Sequence, residues 1–477
     1  GGVYSFPEAY SASKANDIQV IYGLEADLVD DGVPIAFNLK DLELTEAKYV
    51  VFDVETTGLS AVYDSIIELA GVKMYKGNVI EEFQEFIDPG VPISAFTTQL
   101  TGITSEMVRG SKPEKQVLEE FQAFTEGTIL VAHNASFDIG FINKGYEKNN
   151  LPLSTLSVID TLELSRFLYP QFKSFGLSAL AKRFDVTLEQ HHRAIYDAET
   201  TGRLLDIFLK ELMEEHEITN LMNMNDNIGA ADGYKRSRPT HATLLVKSEV
   251  GLKNLYKLVS KSLTEYFYRT PRIPHRVLEE YKEGILVGSG CSNGEVFTTM
   301  MQRGYDDAKE VAQKYDFLEV MPKDAYLHLK ERELIKNDQD LEEVLMNIVK
   351  LGDELGIPVV ATGNVHYLNE QDDISRKIIL QSINSNNTEQ TLHPKVHFRT
   401  TDEMLEAFSF LGETKAKEVV VTNSQKVKNM IDSDVKPLKD DLYSPKMEGA
   451  EKEIRDMTYD KAKEWYGEDL PEIVEAR

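Results

Sequence analysis

The sequence predicts an α/β protein in which a mixed-sheet unit is inserted into a second unit built on repeated βα alternation. Three observations predict this. The chain opens on a single helix-strand pair; its middle runs strands first and then strand and helix in turn; and after a polar, Asn- and Met-rich stretch the βα alternation resumes.

The opening reads as a helix from Phe6 to Asn16, an apolar strand from Ile18 to Gly23 and a polar turn holding Asp30, Asp31, Gly32 and Pro34. From Lys48 the β-branched and aromatic run YVVFDVE begins a sheet. IIELAGVKMYKGNVIEEFQEFI adds two strands joined by a turn at Lys76, Gly77 and Asn78. TILVAH, Thr128 to His133, is a further strand that passes through Asn134 into a helix near Phe137 to Glu147. A helix from Ala194 to Glu215 places Leu204, Leu205, Phe208, Leu209 and Leu212 at helical spacing. The stretch TNLMNMNDNIGAADGYKRSRP has no sustained apolar period and reads as a linker. Beyond it, HATLLVK, GILVGSG, DFLEVM and PVVATGNVHYL alternate with helical GLKNLYKLVSKSL and DLEEVLMNIVKLGDELG, which predicts a parallel sheet or a barrel. The opening pair fits as the missing part of that second unit, making the middle an insertion.

A length of 477 residues suggests about three domains, and 42% hydrophobic with 28% charged residues is the composition of a folded chain. The chain holds no apolar run near the ~18 residues of a membrane span, and the start GGVYSFPEAY has no signal-peptide order. The one cysteine, Cys291, excludes an internal disulfide framework and suits a reducing, cytoplasmic setting. A net charge of −28 argues against a free-standing DNA binder, but carboxylates clustered for divalent cations fit it. The missing initiator Met and the helix-like ending DLPEIVEAR suggest a piece of a longer chain.

Three motifs concentrate chemistry. In VFDVETTGLS, Asp53 and Glu55 stand two apart on a strand, so both leave the same face. Their repulsion is relieved by hard divalent cations or, more commonly for a bare Asp-x-Glu, by a neighbouring Lys or Arg. In AHNASFD, Asn134 occupies a turn and Asp138 the start of a helix, where an Asp is ordinarily a cap. In HHRAIYDAETTGRLL, His192 and Asp197 are five residues apart, ~140° on a continuous helix. They converge only if His192 lies on the loop before the helix, the arrangement of a general base beside a ligand.

In this order and at these separations, FDVETTG, HNASFD and HHRAIYDAE resemble the three motifs of DEDDh exonucleases of the proofreading branch, over about Ala47 to Glu214. The resemblance implies an RNase H-like fold, Asp53, Glu55, Asp138 and Asp197 as ligands for two Mg²⁺ or Mn²⁺ ions, and His192 as general base. It also implies that Thr56, Leu59, Asn134 and Phe137 bracket the terminal nucleotide of a DNA 3′ end, although Leu59 and Phe137 equally suit core packing. A sister class has Tyr four residues before the last Asp; Arg193 stands there instead.

The flanking segments, among them VIYGLEADLVDDGVPI, YFYRTPRIP, GSGCSNGEVF and VVATGNVHYL, resemble the PHP domain of PolC-type polymerases, a distorted βα barrel that carries the inserted exonuclease. The resemblance implies PHP residues 1–44 and 236–440, an exonuclease at 45–215, a linker at 216–235 and the start of a polymerase region at 441–477. It implies as partners the remaining polymerase domains, a sliding clamp and other replisome proteins, and no membrane. Glu25, His241, Cys291 and His366 fall at positions resembling PHP metal ligands, a donor set for Zn²⁺ or another transition metal. A barrel-end Glu, a strand-end His and an inert buried Cys describe them equally well. The family's opening His-x-His is absent and Asn364 replaces a common Asp, which favours a scaffold. A phosphoesterase centred on that barrel and a non-catalytic docking scaffold are the competing readings.

Overall fold

The computed structural model describes residues 2–188, 192–226, 233–332, 334–383, 393–438 and 447–477, in two units, 1–435 and 436–477. The first strand, β1 (Gly23–Val29), begins where Ile18–Gly23 was expected to end. Its partner decides the shift. β1 lies antiparallel to β8 (Thr240–Val246), with Gly23 opposite Leu245 as its last paired residue and Tyr22 O accepting one further bond from Val246 N at 2.8 Å, so Ile18 to Ile21 lie beyond the end of β8.

The flanking sheet is completed by β9 (Phe267–Tyr268), β10 (Thr270–Pro274) and β11 (Ile285–Gly288), in the order β11-β8-β1-β10-β9. β12 (Leu318–Val320) and β13 (Val359–Ala361) pair in parallel, and a parallel bridge between Gly288 and Phe317 joins them to β11. The expected parallel sheet is thus a mixed one. β1 and β10 are parallel, while β8 opposes both β1 and β11. The insertion explains the reversal: the chain leaves β1 at Val29 and returns at Thr240, beside Leu28, so β1 and β8 form a hairpin whose loop is a whole domain. Closing a loop costs only about 0.6 kcal/mol more for each doubling of its length, which is why such an insertion is tolerated.

The inserted part seals its own base. Ile35 and Ala36 donate their backbone N–H groups to Asn225 Oδ1, both at 3.0 Å, Leu44 N donates to Thr219 O at 2.8 Å, and Leu221 N to Leu42 O at 2.9 Å. Residues from Ile35 to Leu44, expected with the PHP part, therefore pack with the insertion, as do Leu221 and Met224 of the expected linker. The linker's residues 227–232 and the expected boundary at 440–441 lie outside the described residues.

The insertion's sheet runs β2-β7-β6-β3-β4-β5, with β2 Ala36–Phe37, β3 Lys48–Thr56, β4 Ile66–Tyr75, β5 Asn78–Phe86, β6 Ile129–Ala132 and β7 Val158–Asp160. β3 pairs in parallel with β6 and antiparallel with β4. Strand alternation splits the core in two. Tyr49, Val51, Ala70 and Val72 face the helix Ala194–His216, and Val50, Phe52, Val54 and Leu69 face the helices Glu114–Thr125 and Ala135–Lys148. This mixed sheet is set into a flanking α/β part whose core runs from Phe6 through Leu28 and again from Ala242 to Val419.

In the second unit the helix Ala450–Tyr466 leaves Ile454, Met457 and Trp465 exposed. Among the described residues no helix is long and apolar enough to cross a membrane. One close approach is testable. A Cβ on Gly251, in the first turn of the helix Glu249–Thr264, would fall 1.7 Å from Gly284 O. Gly251→Ala should lower the melting temperature, measured by thermal unfolding, although the same change in an unobstructed helix stabilises by about 1 kcal/mol.

Candidate active site

Asp53 and Glu55 continue the β3 face of Tyr49 and Val51, so they point toward the helix Ala194–His216. The first turn of that helix carries Asp197, which is buried. β3 outruns its parallel partner: the pairing with β6 ends at Val51 opposite Val131, leaving Asp53 to Thr56 at an open sheet end. There the β4 register slips between Glu55 and Thr56, a bulge of the kind that re-aims side chains beside active sites.

β6 delivers the second motif. Asn134 adopts φ 73, the left-handed turn that Asn tolerates, and its N–H and that of Ala135 donate to Asp160 at 3.0 and 2.9 Å. Asp160 also caps the next helix through Leu162 N at 2.9 Å. The turn sets Asp138 one helical turn inward, buried, with Oδ1 accepting from Val54 N at 3.2 Å. His192 lies outside the helix at φ 64, and its backbone N–H donates to Asp197 Oδ2 at 3.0 Å. The ~140° divergence of a continuous helix therefore does not apply. One ring nitrogen of His192 and one oxygen each of Glu55 and Asp197 lie within 4.8 Å of one another.

These groups share one cleft of about 490 Å³, which Thr56, Leu59 and Phe137 also line. Leu59 is 54% exposed, so core packing does not account for it. Phe137 does both, lining the cleft and packing at a tilt against the Phe141 ring, centroids 5.0 Å apart. Asn134 stands exposed at the turn.

Burial and mutual repulsion push Asp53, Glu55 and Asp138 up. Asp53 is raised well above the usual range by desolvation and then by Asp138, Glu55 and Asp197. Asp138 is raised by its burial. Glu55 is pushed up to about 8 by burial, Asp197 and Glu68. Among the described residues no Lys or Arg forms an ion pair with Asp53, Glu55 or Asp138. The alternative of a charge pair held by a basic side chain is thereby removed, and these hard oxygen donors fit divalent cations.

The arginine next to His192 is engaged by another acid. Arg193 forks onto Glu68, with Nε at 3.2 Å and a terminal nitrogen at 3.1 Å, and Glu68 also accepts from Ala194 N at 3.3 Å and Gln84 Nε2 at 2.8 Å. Glu68 is fully buried and pairs across the strands with Glu55. It moors the turn bearing His192 to the strand beside Glu55. The sequence reading missed Glu68, Asp160 and the cleft-lining Phe96 and Leu100. Each left a signal: an acid inside an apolar strand, an Asp between strand and helix, and two large apolar side chains left 60% and 46% exposed on the helix Ala95–Thr101.

In the flanking part, Glu25, His241 and Cys291 also lie with ligand atoms within 4.8 Å. His241 Nδ1 is 3.1 Å from Cys291 Sγ and 3.3 Å from Glu25 Oε1, and its Nε2 is 3.5 Å from Asp27 Oδ1. His366 does not lie within 4.8 Å of all three, although Glu25 stands near enough to act on its charge; its backbone N–H is tied to Val396 O at 2.8 Å. Burial pushes the Cys291 thiol up to about 11, and with no His-x-His in the chain the cluster offers one carboxylate, one imidazole and one thiol.

Two family models match parts of the chain. The Exonuclease family matches residues 50–205 and the PHP domain family residues 174–331. The overlap, 174–205, packs in the insertion through Leu177, Leu180, Ala194 and Leu204, and β1 lies outside the PHP match. Over 100% of the chain the sequence is 56% identical to the DNA polymerase III PolC-type of Bacillus subtilis (strain 168), and over 99% it is 55% identical to those of Latilactobacillus sakei and Listeria innocua. Over its whole length the chain is similar to PolC-type DNA polymerase III sequences. It spans about a third, 33%, of the length of these PolC-type relatives. Among solved structures it is similar to exonuclease X in complex with 5′-overhanging duplex DNA (27% identity, TM-score 0.29, 37% of this chain and 98% of that one). It is also similar to the nuclease domain of 3′hExo, a DEDDh family member bound to rAMP (18%, 0.33, 36% and 95%).

The raised carboxyls set a pH dependence. A carboxyl whose folded pKa lies above its unfolded value stabilises fully below the unfolded value and loses that contribution as pH rises through the folded one. For Glu55 the window runs from 4.5 to about 8. Chelator-treated protein should therefore lose stability across it, and Mn²⁺ should raise the melting temperature more at pH 8 than at pH 5. Equal shifts at both pH values would separate the cation from these carboxylates.

Proposed function

We propose that this chain is the proofreading 3′-to-5′ exonuclease part of a PolC-type replicative DNA polymerase, acting in the cytoplasm. It would hydrolyse the 3′-terminal phosphodiester of a frayed or single-stranded primer and release nucleoside 5′-monophosphates. One observation carries the reading: four carboxylates and a loop-borne histidine from three separate segments converge on an open cleft with no basic side chain paired to Asp53, Glu55 or Asp138.

In this reading Asp53, Glu55, Asp138 and Asp197 hold two Mg²⁺ or Mn²⁺ ions. When bound, the pair neutralises charge on the scissile phosphate and on the departing 3′-oxygen. His192 takes the proton of the attacking water, its position fixed by the backbone bond to Asp197 and by the Glu68–Arg193 anchor next to it. Leu59 and Phe137, with Thr56 and Asn134, bracket the terminal nucleotide, which must leave the stack to reach the carboxylates. The exonuclease takes residues 45–215 with extensions to Ile35 and Met224, and the PHP segments act as scaffold. Residues 441–477 lead into the polymerase region. The rest of the polymerase, a sliding clamp and other replisome proteins are the partners.

His192→Ala should cut turnover on a single-stranded oligonucleotide by about 10²- to 10⁴-fold while Mn²⁺ affinity, read by calorimetry, stays near normal. Asp53→Ala should lose both. If the two variants lose Mn²⁺ equally, His192 is a ligand, as its place beside Glu55 and Asp197 also allows. Cys291→Ser should leave oligonucleotide turnover within about twofold; a loss matching that of Asp53→Ala would overturn the scaffold role.

A further inference from the structure

The cleft wall is not built by the insertion alone. All its lining residues but one lie between Asp53 and Asp197; the exception is Arg332, from the flanking part, just past the helix Leu327–Glu331. It is also the one Lys or Arg among the described lining residues. Arg332 is exposed, and none of the ion pairs among the described residues includes it. Its backbone is well seated, with its N–H on His328 O at 3.3 Å and buried Leu329 and Ile335 on either side.

A second set of contacts fixes where Arg332 stands. Lys336 Nζ lies 2.8 Å from Asp64 Oδ1. The buried Asp64 also accepts from Ser60 N at 2.9 Å and from Thr57 Oγ1 at 3.2 Å, closing the loop that presents Leu59 to the cleft. The same loop is tied to the flanking part by Ser60 Oγ donating to Met301 O and by Ala61 N donating to Gln302 O at 3.1 Å. The flanking part thus holds one wall of the cleft and places a guanidinium four residues from the clamp.

A strand entering this cleft meets four carboxylates on a chain of net charge −28. Cations held by the carboxylates serve the scissile phosphate, and the phosphates behind it still need a partner. Guanidinium binds phosphate through paired hydrogen bonds and keeps its charge at any working pH.

Resting on the exonuclease reading above, we infer that Arg332 holds a phosphate of the strand behind the terminal nucleotide, so that the PHP part completes the exonuclease's substrate site. Arg332 is a binding residue and takes no part in the chemistry.

The test compares two substrates on the full chain with Mn²⁺: a single-stranded oligonucleotide and the nitrophenyl ester of thymidine 5′-monophosphate, which has no phosphate behind the one cleaved. Arg332→Ala should raise KM for the oligonucleotide about tenfold with kcat within about twofold, the effect of one exposed charge-assisted contact. The salt dependence of log kcat/KM should become shallower by about 0.7, one phosphate's worth on a single strand. Arg332→Lys should restore the salt slope and most of the KM, and ester hydrolysis should be unchanged in both variants. An unaltered oligonucleotide KM and salt slope would overturn the assignment, as would a parallel loss on the ester, which marks a structural defect. If the unaltered chain cuts neither substrate, the exonuclease reading itself falls and the assignment with it.

Discussion

Like charges have to be kept together at the open end of β3. Asp53 and Glu55 leave one face of a strand, and Asp138 and Asp197 reach the same place from helices on opposite sides of the sheet. Without a counter-charge these groups resist ionisation, as the raised Asp53, Glu55 and Asp138 show. The surrounding fold reads as the means of holding that arrangement. β3 outruns β6, Asp160 ties the Asn134 turn, and Glu68 takes up the arginine that would otherwise quench the site.

The Glu68–Arg193 pair deserves its buried position on physical grounds. A buried acid is costly unless its oxygens are all engaged, and Glu68 has partners from Arg193, Ala194 and Gln84. Because Arg193 directly follows His192, the pair sets the histidine's position from behind while leaving its ring to face the cleft. Structural polar groups and cleft groups are thus adjacent in sequence but divided in task.

Inserting a domain between two antiparallel neighbours has a further consequence. Leu28 and Thr240 are paired, so the insertion's ends start a few ångströms apart, and the contacts through Asn225 and Leu42 keep them there. The insertion then rests on its host through Ser60, Ala61 and Asp64, close to the substrate cleft. A host that only tethered the insertion would need none of these contacts. They give the PHP part a place in shaping the cleft as well as in carrying the insertion.

Period and motif order determined a great deal from the sequence alone. The two-residue period places Asp53 and Glu55 on one face, the turn-forming Asn134 precedes a helix, and apolar spacing marks the helix from Ala194, because these are local preferences of the backbone. Tertiary structure decided what depends on partners far away in the chain. β1 starts at Gly23 because β8 ends at Val246, one residue past its partner Leu245, and β8 runs antiparallel because the insertion returns the chain beside its point of departure. His366 does not lie within 4.8 Å of all of Glu25, His241 and Cys291, and Glu68 meets Arg193 across 125 residues. Arg332 reaches a cleft whose other residues all precede it by more than a hundred positions. A sequence pattern records which residues share a face; which faces meet is settled only when the whole chain has packed.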